Sequence, residues 1–218
     1  MSKSELKRFI AARLTGAGMF ETGIPGVQLF RITEPVGCAP VIYEPCIMAI
    51  LNGAKEAILD GDRHVYDSRQ HMCCSLNLPV EAGAPKASPN DPLVGVYIAL
   101  DPRVMTELTM EIESIGGIDA MSAEGAVVRG LSFAGWSPDF TEAILRLIQL
   151  VGSPSDIAIF GKTRLREVYY AVSLRGAGNS SCSESGQRGF SGIGPRGNPN
   201  QILSHWADIP VRLLQRAN

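Results

Sequence analysis

Histidine and cysteine, together with carboxylates, are the side chains of this sequence that could bind a transition metal. The chain has three histidines, His64, His71 and His205, and five cysteines. A catalytic metal usually takes two or three histidines together with a carboxylate that converge on one point. One such arrangement has two histidines one residue apart, followed by a glutamate. This arrangement is absent, because His64 is followed by Val65 and Tyr66. The sequence therefore predicts no metal site and no metal-dependent enzyme.

His71, Cys73 and Cys74 lie close together in sequence. Successive residues of a strand point to opposite faces, so the two cysteines cannot face one ion, and at most His71 and Cys73 share a face. The favoured interpretation makes both cysteines small buried hydrophobic side chains and His71 a packed strand histidine.

Other catalytic motifs are incomplete. Residues 192–197 fit the G-x-G-x-x-G pattern, but no strand precedes them and no helix follows, so a phosphate site has no support. No G-x-S-x-G motif or Ser-His-Asp order is present. We therefore expect a protein that is not an enzyme and needs no cofactor.

Residues 46–51 read CIMAIL and are apolar on both faces, as expected of a strand that is covered on both sides. In a small barrel, one face of such a strand lines a pocket. Residues that combine apolar area with a few polar groups are the candidates for binding a ligand there, with core packing as the alternative for each. They are Tyr43, Met48, His71, Cys73 and Tyr97.

Glycine-containing turns organise this part of the chain. Asn52-Gly53 and Asp60-Gly61 are typical of type I′ turns and predict two successive hairpins from segments 46–51, 54–59 and 62–66. Further strands are predicted at residues 27–32, 71–78 and 93–100. Short strands at this spacing indicate a sandwich or a closed barrel. Residues 1–22 are predicted to form a short helix and its lead-in to the first strand.

Helical periodicity follows the strands. Asp101-Pro102 predicts the start of one helix, residues 126–133 a strand, and Ser137-Pro138 and Ser153-Pro154 the starts of two amphipathic helices. The apolar stripes of these helices need a partner, which is the barrel, the other helix or a second subunit. The candidates for a dimer interface are Leu147, Val151, Leu165, Val168 and Tyr169.

Composition limits the classes of partner. A net charge of −2 gives no general attraction to phosphates, so we expect no DNA binding by this chain itself. No apolar run approaches the roughly 20 residues that cross a bilayer. The first ten residues lack the apolar core of a signal peptide, and an odd number of cysteines indicates reduced thiols, so we expect a cytoplasmic protein without membrane contact.

Several short motifs occur in one order along the chain: VIYEPCIMAIL, NGAK, DRHVYD, LNLPV, ASPNDP and SPSDIAIFGKTRLREVYYA. In order and spacing they resemble the N-terminal domain family of AraC-type transcription regulators, over residues 23–175. The resemblance implies a mainly β fold with C-terminal helices (α+β). Its parts would be a cupin-like jelly-roll barrel with an inserted helix over residues 23–136 and a helical dimerisation segment over residues 137–175.

The same resemblance implies a small effector in the barrel, a homodimer, and a separate C-terminal DNA-binding domain. Residues 176–218 depart from that pattern, because they are rich in glycine and serine and lack apolar periodicity, and they predict a disordered or aberrant tail. We therefore expect a ligand-sensing and dimerisation module that lacks the helix-turn-helix half. The alternatives are a small cupin enzyme and a stand-alone module that pairs with intact regulators.

Overall fold

The computed structural model describes residues 3–115 and 130–176. Four helices lie in these ranges: α1 (Lys3–Ala11), α2 (Pro102–Ser114), α3 (Pro138–Gln149) and α4 (Pro154–Gly176). The ten strands are β1 (Gly18–Glu21), β2 (Val27–Ile32), β3 (Val36–Tyr43), β4 (Cys46–Asn52), β5 (Ala54–Leu59), β6 (Asp62–Asp67), β7 (Gln70–Cys74), β8 (Leu78–Ala84), β9 (Leu93–Ala99) and β10 (Leu131–Gly135).

The strands form two antiparallel sheets. One has six strands in the order β1-β2-β9-β4-β7-β10, and the other has four in the order β3-β8-β5-β6. Three of the four helices are at or after residue 102, so the predicted mainly β fold with C-terminal helices is confirmed. None of the helices in the described ranges is long and apolar enough to span a bilayer.

An extensive apolar core lies between the six-stranded sheet and the helices. Ile47 and Ala49 of β4 are fully buried there, together with Leu6 of α1, Phe140 of α3 and Val168 of α4. Ser137 caps α3 because its hydroxyl accepts a 3.0 Å hydrogen bond from the Phe140 amide. Helices α1, α3 and α4 thus cover one face of the sheet, and we call this the helix-facing core.

The hairpin predicted at Asp60-Gly61 is confirmed. Asp60 and Gly61 have φ angles of 52° and 87°, and Leu59 of β5 pairs with Asp62 of β6. Two successive residues in the left-handed region are the signature of a type I′ turn, whose twist matches paired antiparallel strands.

The hairpin predicted at Asn52-Gly53 is wrong. Strand β4 pairs with β7 and β9, whereas β5 pairs with β6 and β8, so the chain crosses here from one sheet to the other. Gly53 does have a φ of 73°. The Asn52 side-chain amide, however, donates 2.8 Å hydrogen bonds to the Asp91 carboxylate and the Pro92 carbonyl oxygen. The turn is therefore held by the loop before β9 rather than by ladder bonds to β5.

Other segments differ from the sequence-based prediction. The single strand predicted over residues 71–78 is divided into β7 and β8, and β3 was not predicted. Strand β8 contains Pro79 and Gly83, which have low β propensity, and it forms because β3 and β5 flank it on both sides. Most of the strand predicted over residues 126–133 lies outside the described residues, as does the predicted tail from residue 177 onward.

Strand β9 lies between β2 and β4, and substitution of its Gly95 tests how closely these strands pack. A methyl group added there would lie 2.6 Å from the Ala49 carbonyl oxygen and would overlap the Phe30 ring. We expect Gly95→Ala to lower the free energy of unfolding by about 1–3 kcal/mol, measured by urea denaturation. Gly37→Ala is the matched control, because nothing lies within 4 Å of its added methyl group. Equal stability of the two variants would contradict this packing.

Candidate functional site

The six-stranded sheet has a second buried face, which points toward the four-stranded sheet. On this face Met48 of β4 lies between Met72 of β7 and Tyr97 of β9. The hydroxyl group of Tyr66, on β6 of the other sheet, donates a 3.3 Å hydrogen bond to the Met48 sulfur. This contact joins the two sheets across the space between them, which we call the inter-sheet interior.

A lysine is buried in the inter-sheet interior. Lys55 of β5 lies directly opposite Tyr66 in the hairpin, so the two side chains share a face. Its exposure is 3%, and its Nζ atom lies 5.2 Å from the centre of the Tyr43 ring. The polar and polarisable groups that line this space are Tyr43, Cys46, Met48, Lys55, Tyr66 and Cys74.

Burial changes the acid–base properties of these groups in opposite directions. Removal from water lowers the pKa of the Lys55 amine to about 7. It raises the pKa of the Tyr43 and Tyr66 phenols and of the Cys46 and Cys74 thiols. Desolvation always disfavours the charged form, which is the cation of an amine and the anion of a phenol or thiol. Near neutral pH the site therefore presents a partly neutral amine among protonated phenols and thiols.

The structure divides the five predicted ligand-binding candidates between two faces. Tyr43, Met48 and Tyr97 belong to the inter-sheet interior. His71 and Cys73 pair with Ala49 and Ile47, and they therefore face the helices.

The His71 ring stacks on Phe140 of α3 with 4.1 Å between ring centres, and burial lowers the pKa of the imidazole to about 4. Burial raises the pKa of the neighbouring Cys73 thiol to about 11. The prediction that His71 and Cys73 line one pocket with Met48 is corrected, because alternation along the strands places them on the opposite face. That His71 and Cys73 share a face agrees with the sequence analysis.

The two described histidines lie on opposite sides of the six-stranded sheet. His64 stacks on Phe133 at 5.1 Å between ring centres, on the inter-sheet side, whereas His71 faces α3. Within residues 3–115 and 130–176, no group of three or more histidine, cysteine or acidic side chains could hold a metal ion. His205 lies outside these ranges.

Most of the predicted dimer-interface residues are inside the chain's own core. Leu147 and Val168 are fully buried, and the Tyr169 hydroxyl donates a 2.6 Å hydrogen bond to the Ala99 carbonyl oxygen. Val151 and Leu165 are partly buried against the same core. The first three are therefore not available to a second subunit, because the stripes of α3 and α4 pack on the sheet and on each other.

Lys55 was not among the sequence-predicted site residues, although the sequence carries a signal for it. The Asp60-Gly61 turn fixes the register of β5 and β6, and counting back from the turn places Lys55 opposite Tyr66. The register puts Lys55 and Tyr66 on one face, and it is the packing of the other sheet that makes this face interior.

The sequence and the structure were compared with those of known proteins. No curated protein matches the chain in sequence. A solved structure of ToxT from Vibrio cholerae is 10% identical with a TM-score of 0.45, covering 69% of this chain and 55% of that one. ToxT with an unsaturated fatty acid bound is 7% identical with a TM-score of 0.45, covering 67% and 52%. A cupin protein from Bacteroides fragilis is 16% identical with a TM-score of 0.26, covering 35% and 64%.

The chain thus spans about half the length of the ToxT chains that it matches. Its fold is mainly β, with two antiparallel sheets and C-terminal helices. The family model described as the AraC-type transcriptional regulator N-terminus matches residues 23–179, which include every described strand except β1 and every described helix except α1. On that match, the chain belongs to the family of AraC-type regulator N-terminal domains.

Proposed function

We propose that the chain is the ligand-sensing module of an AraC-type transcription regulator and that its effector binds in the inter-sheet interior. The observation that carries the proposal is the burial of the Lys55 amine between the sheets, beside the Tyr43 and Tyr66 phenols. Small-molecule sites combine apolar walls with a few polar groups that orient the ligand.

The free-energy cost of burying the Lys55 amine supports a functional role for this residue. Burying an amine costs free energy that an apolar side chain of the same length would not cost. The helix-facing core is filled mainly by aliphatic and aromatic side chains, and its buried His71 stacks on Phe140, but it buries no lysine within the described residues. A lysine in the other interior is therefore better explained by recognition than by stability.

Ligand binding is tested with chemically matched probes of two to eight carbons: aldehydes, carboxylates, alcohols and amides. A probe that binds the folded chain raises Tm, and at 100 times its Kd it stabilises the fold by about 2.7 kcal/mol, or roughly 5–10 °C. We expect at least one class to raise Tm in wild type and in Lys86→Met, which alters an exposed lysine. The rise should be lost in Lys55→Met. No rise in wild type, or an equal rise in Lys55→Met, would contradict the site.

Lys55→Met should also make the fold more stable and less sensitive to pH. The pKa of this amine is about 7 in the folded chain and 10.5 in its ordinary state, so between these values the unfolded chain binds more protons. Wild type therefore loses stability as the pH falls from about 10.5 to 7. The loss is on the order of 4 kcal/mol.

Urea denaturation of wild type, Lys55→Met and Lys86→Met at several pH values between 7 and 10.5 measures this difference. Lys55→Met is expected to show a flatter profile and higher stability at pH 7, whereas Lys86→Met follows wild type. Parallel profiles for all three proteins would show that Lys55 is not desolvated.

We further propose that the chain forms a homodimer through the outer face of α4. Ile159 and Phe160 are 69% and 46% exposed, although both are large apolar side chains. Exposed apolar side chains on a helix favour contact with another protein surface. A symmetric pair of such helices makes a self-complementary interface.

The double variant Ile159→Glu/Phe160→Glu should be monomeric at tens of micromolar, where wild type is dimeric by light scattering. Burying two carboxylates in an apolar interface without partners opposes association. Val65→Glu is the control, because Val65 is 49% exposed and lies on β6, on the sheet rather than on α4. A monomeric wild type, or a double variant that still dimerises, contradicts this interface.

We propose that the module acts by binding rather than by catalysis and without a metal or cofactor. The placement of His64 and His71 on opposite faces supports this, since the two imidazoles do not converge. Cytoplasmic location and the lack of DNA binding by this chain itself stay predictions from composition and charge. Action on DNA would then depend on a helix-turn-helix domain of the kind that the family implies.

A further inference from the structure

We propose that Lys55 is a covalent attachment point for a small aldehyde, which it holds as a reversible imine in the inter-sheet interior. This inference rests on the proposed ligand site and names the chemical class of its effector.

Three kinds of nucleophile are buried in this space: an amine, two thiols and the phenols. Lys55 shares a strand face with Tyr66 and lies over the Tyr43 ring, and Cys46 and Cys74 are cross-strand partners on β4 and β7. All of them lie on surfaces that face the space between the sheets. A ligand that enters between the sheets therefore meets all three kinds of group.

Of these three kinds of nucleophile, the amine is the one that burial makes more reactive near neutral pH. A thiol or phenol reacts as its anion, and burial raises the pKa of Cys46 and of Tyr66, so both stay protonated and unreactive near neutral pH. A lysine reacts as the neutral amine, and burial lowers the pKa of Lys55 to about 7. Burial therefore keeps the thiols in their unreactive protonated form and raises the fraction of the amine that is in its reactive neutral form.

The reaction that fits a neutral buried amine is addition to a carbonyl group. The lone pair of the Lys55 nitrogen forms a bond to the carbonyl carbon, and the C=O π electrons move to oxygen. Transfer of a proton from nitrogen to that oxygen gives a carbinolamine. The oxygen then gains a second proton from a neighbouring phenol and leaves as water, while the nitrogen lone pair forms the C=N bond. Return of the remaining N–H proton to the phenolate gives the neutral imine and restores the phenol.

The net change is aldehyde plus amine to imine plus water, with no oxidant or reductant. Phenols at this site are suited to the proton transfers, because Tyr43 and Tyr66 remain protonated donors. Hydrolysis reverses each step. Reversal suits a sensor, whose occupancy must follow the concentration of its effector.

The test uses the whole chain, butanal as the probe and sodium cyanoborohydride, which reduces an imine to a stable secondary amine. Peptide mass spectrometry then gives the rate of butylation at each lysine. Lys86 and Lys162, which are exposed, serve as references within the same molecule. An ordinary lysine is almost entirely protonated at pH 7, so we expect Lys55 to be butylated at least about tenfold faster than either reference. The advantage should vanish in guanidinium chloride.

Butanoate and butan-1-ol separate failure of this inference from failure of the proposed function. Native butylation of Lys55 no faster than that of Lys86 overturns the imine. If a Lys55-dependent rise in Tm with butanal or butanoate remains in that case, the ligand site stands and its chemistry is non-covalent. If none of the three probes raises Tm and Lys55 is not selectively butylated, both ideas fail.

Discussion

Strands β4, β7 and β9 are covered on both faces, and the rest of the structure depends on the alternation of their side chains. Ile47 and Ala49 point to the helices, whereas Met48, between them, points to the other sheet. A shift of one residue in any of these pairings would exchange the two sets. The register therefore decides which side chains stabilise the fold and which are available to a ligand.

The two interiors that result have different chemistry. The helix-facing core buries mainly aliphatic and aromatic side chains from α1, α3, α4 and the sheet, with His71 and Cys73 at its sheet side, and it accounts for the packing of the helices. The inter-sheet interior buries an amine, phenols and thiols, whose pKa values are all displaced toward the neutral form. Displaced pKa values in a buried cluster are typical of functional sites. Burial is the largest cause of the displaced pKa of each of these groups.

Local signals in the sequence predicted some elements and failed for others. The Asp60-Gly61 turn was predictable because type I′ geometry needs only the two turn residues. The identical reasoning failed at Asn52-Gly53, where side-chain hydrogen bonds to Asp91 and Pro92 direct the chain into the other sheet. Strand β8 could not be read from propensity, since its neighbours β3 and β5 impose the extended conformation. The stripe containing Leu147 predicted a buried face correctly, but periodicity cannot say which partner buries it.

The central claim is that the Lys55 amine is buried away from water between the sheets and is available there, in its neutral form, to a ligand. NMR titration of the Lys55 side chain, followed through the chemical shifts of its Cε and Nζ atoms, measures this directly. Lys55→Met identifies the resonances, because they are the ones missing from its spectrum. The account predicts a pKa of about 7, well below that of an ordinary lysine. A midpoint near 10.5 would show a solvated ammonium group and would contradict the assignment of this interior as the site.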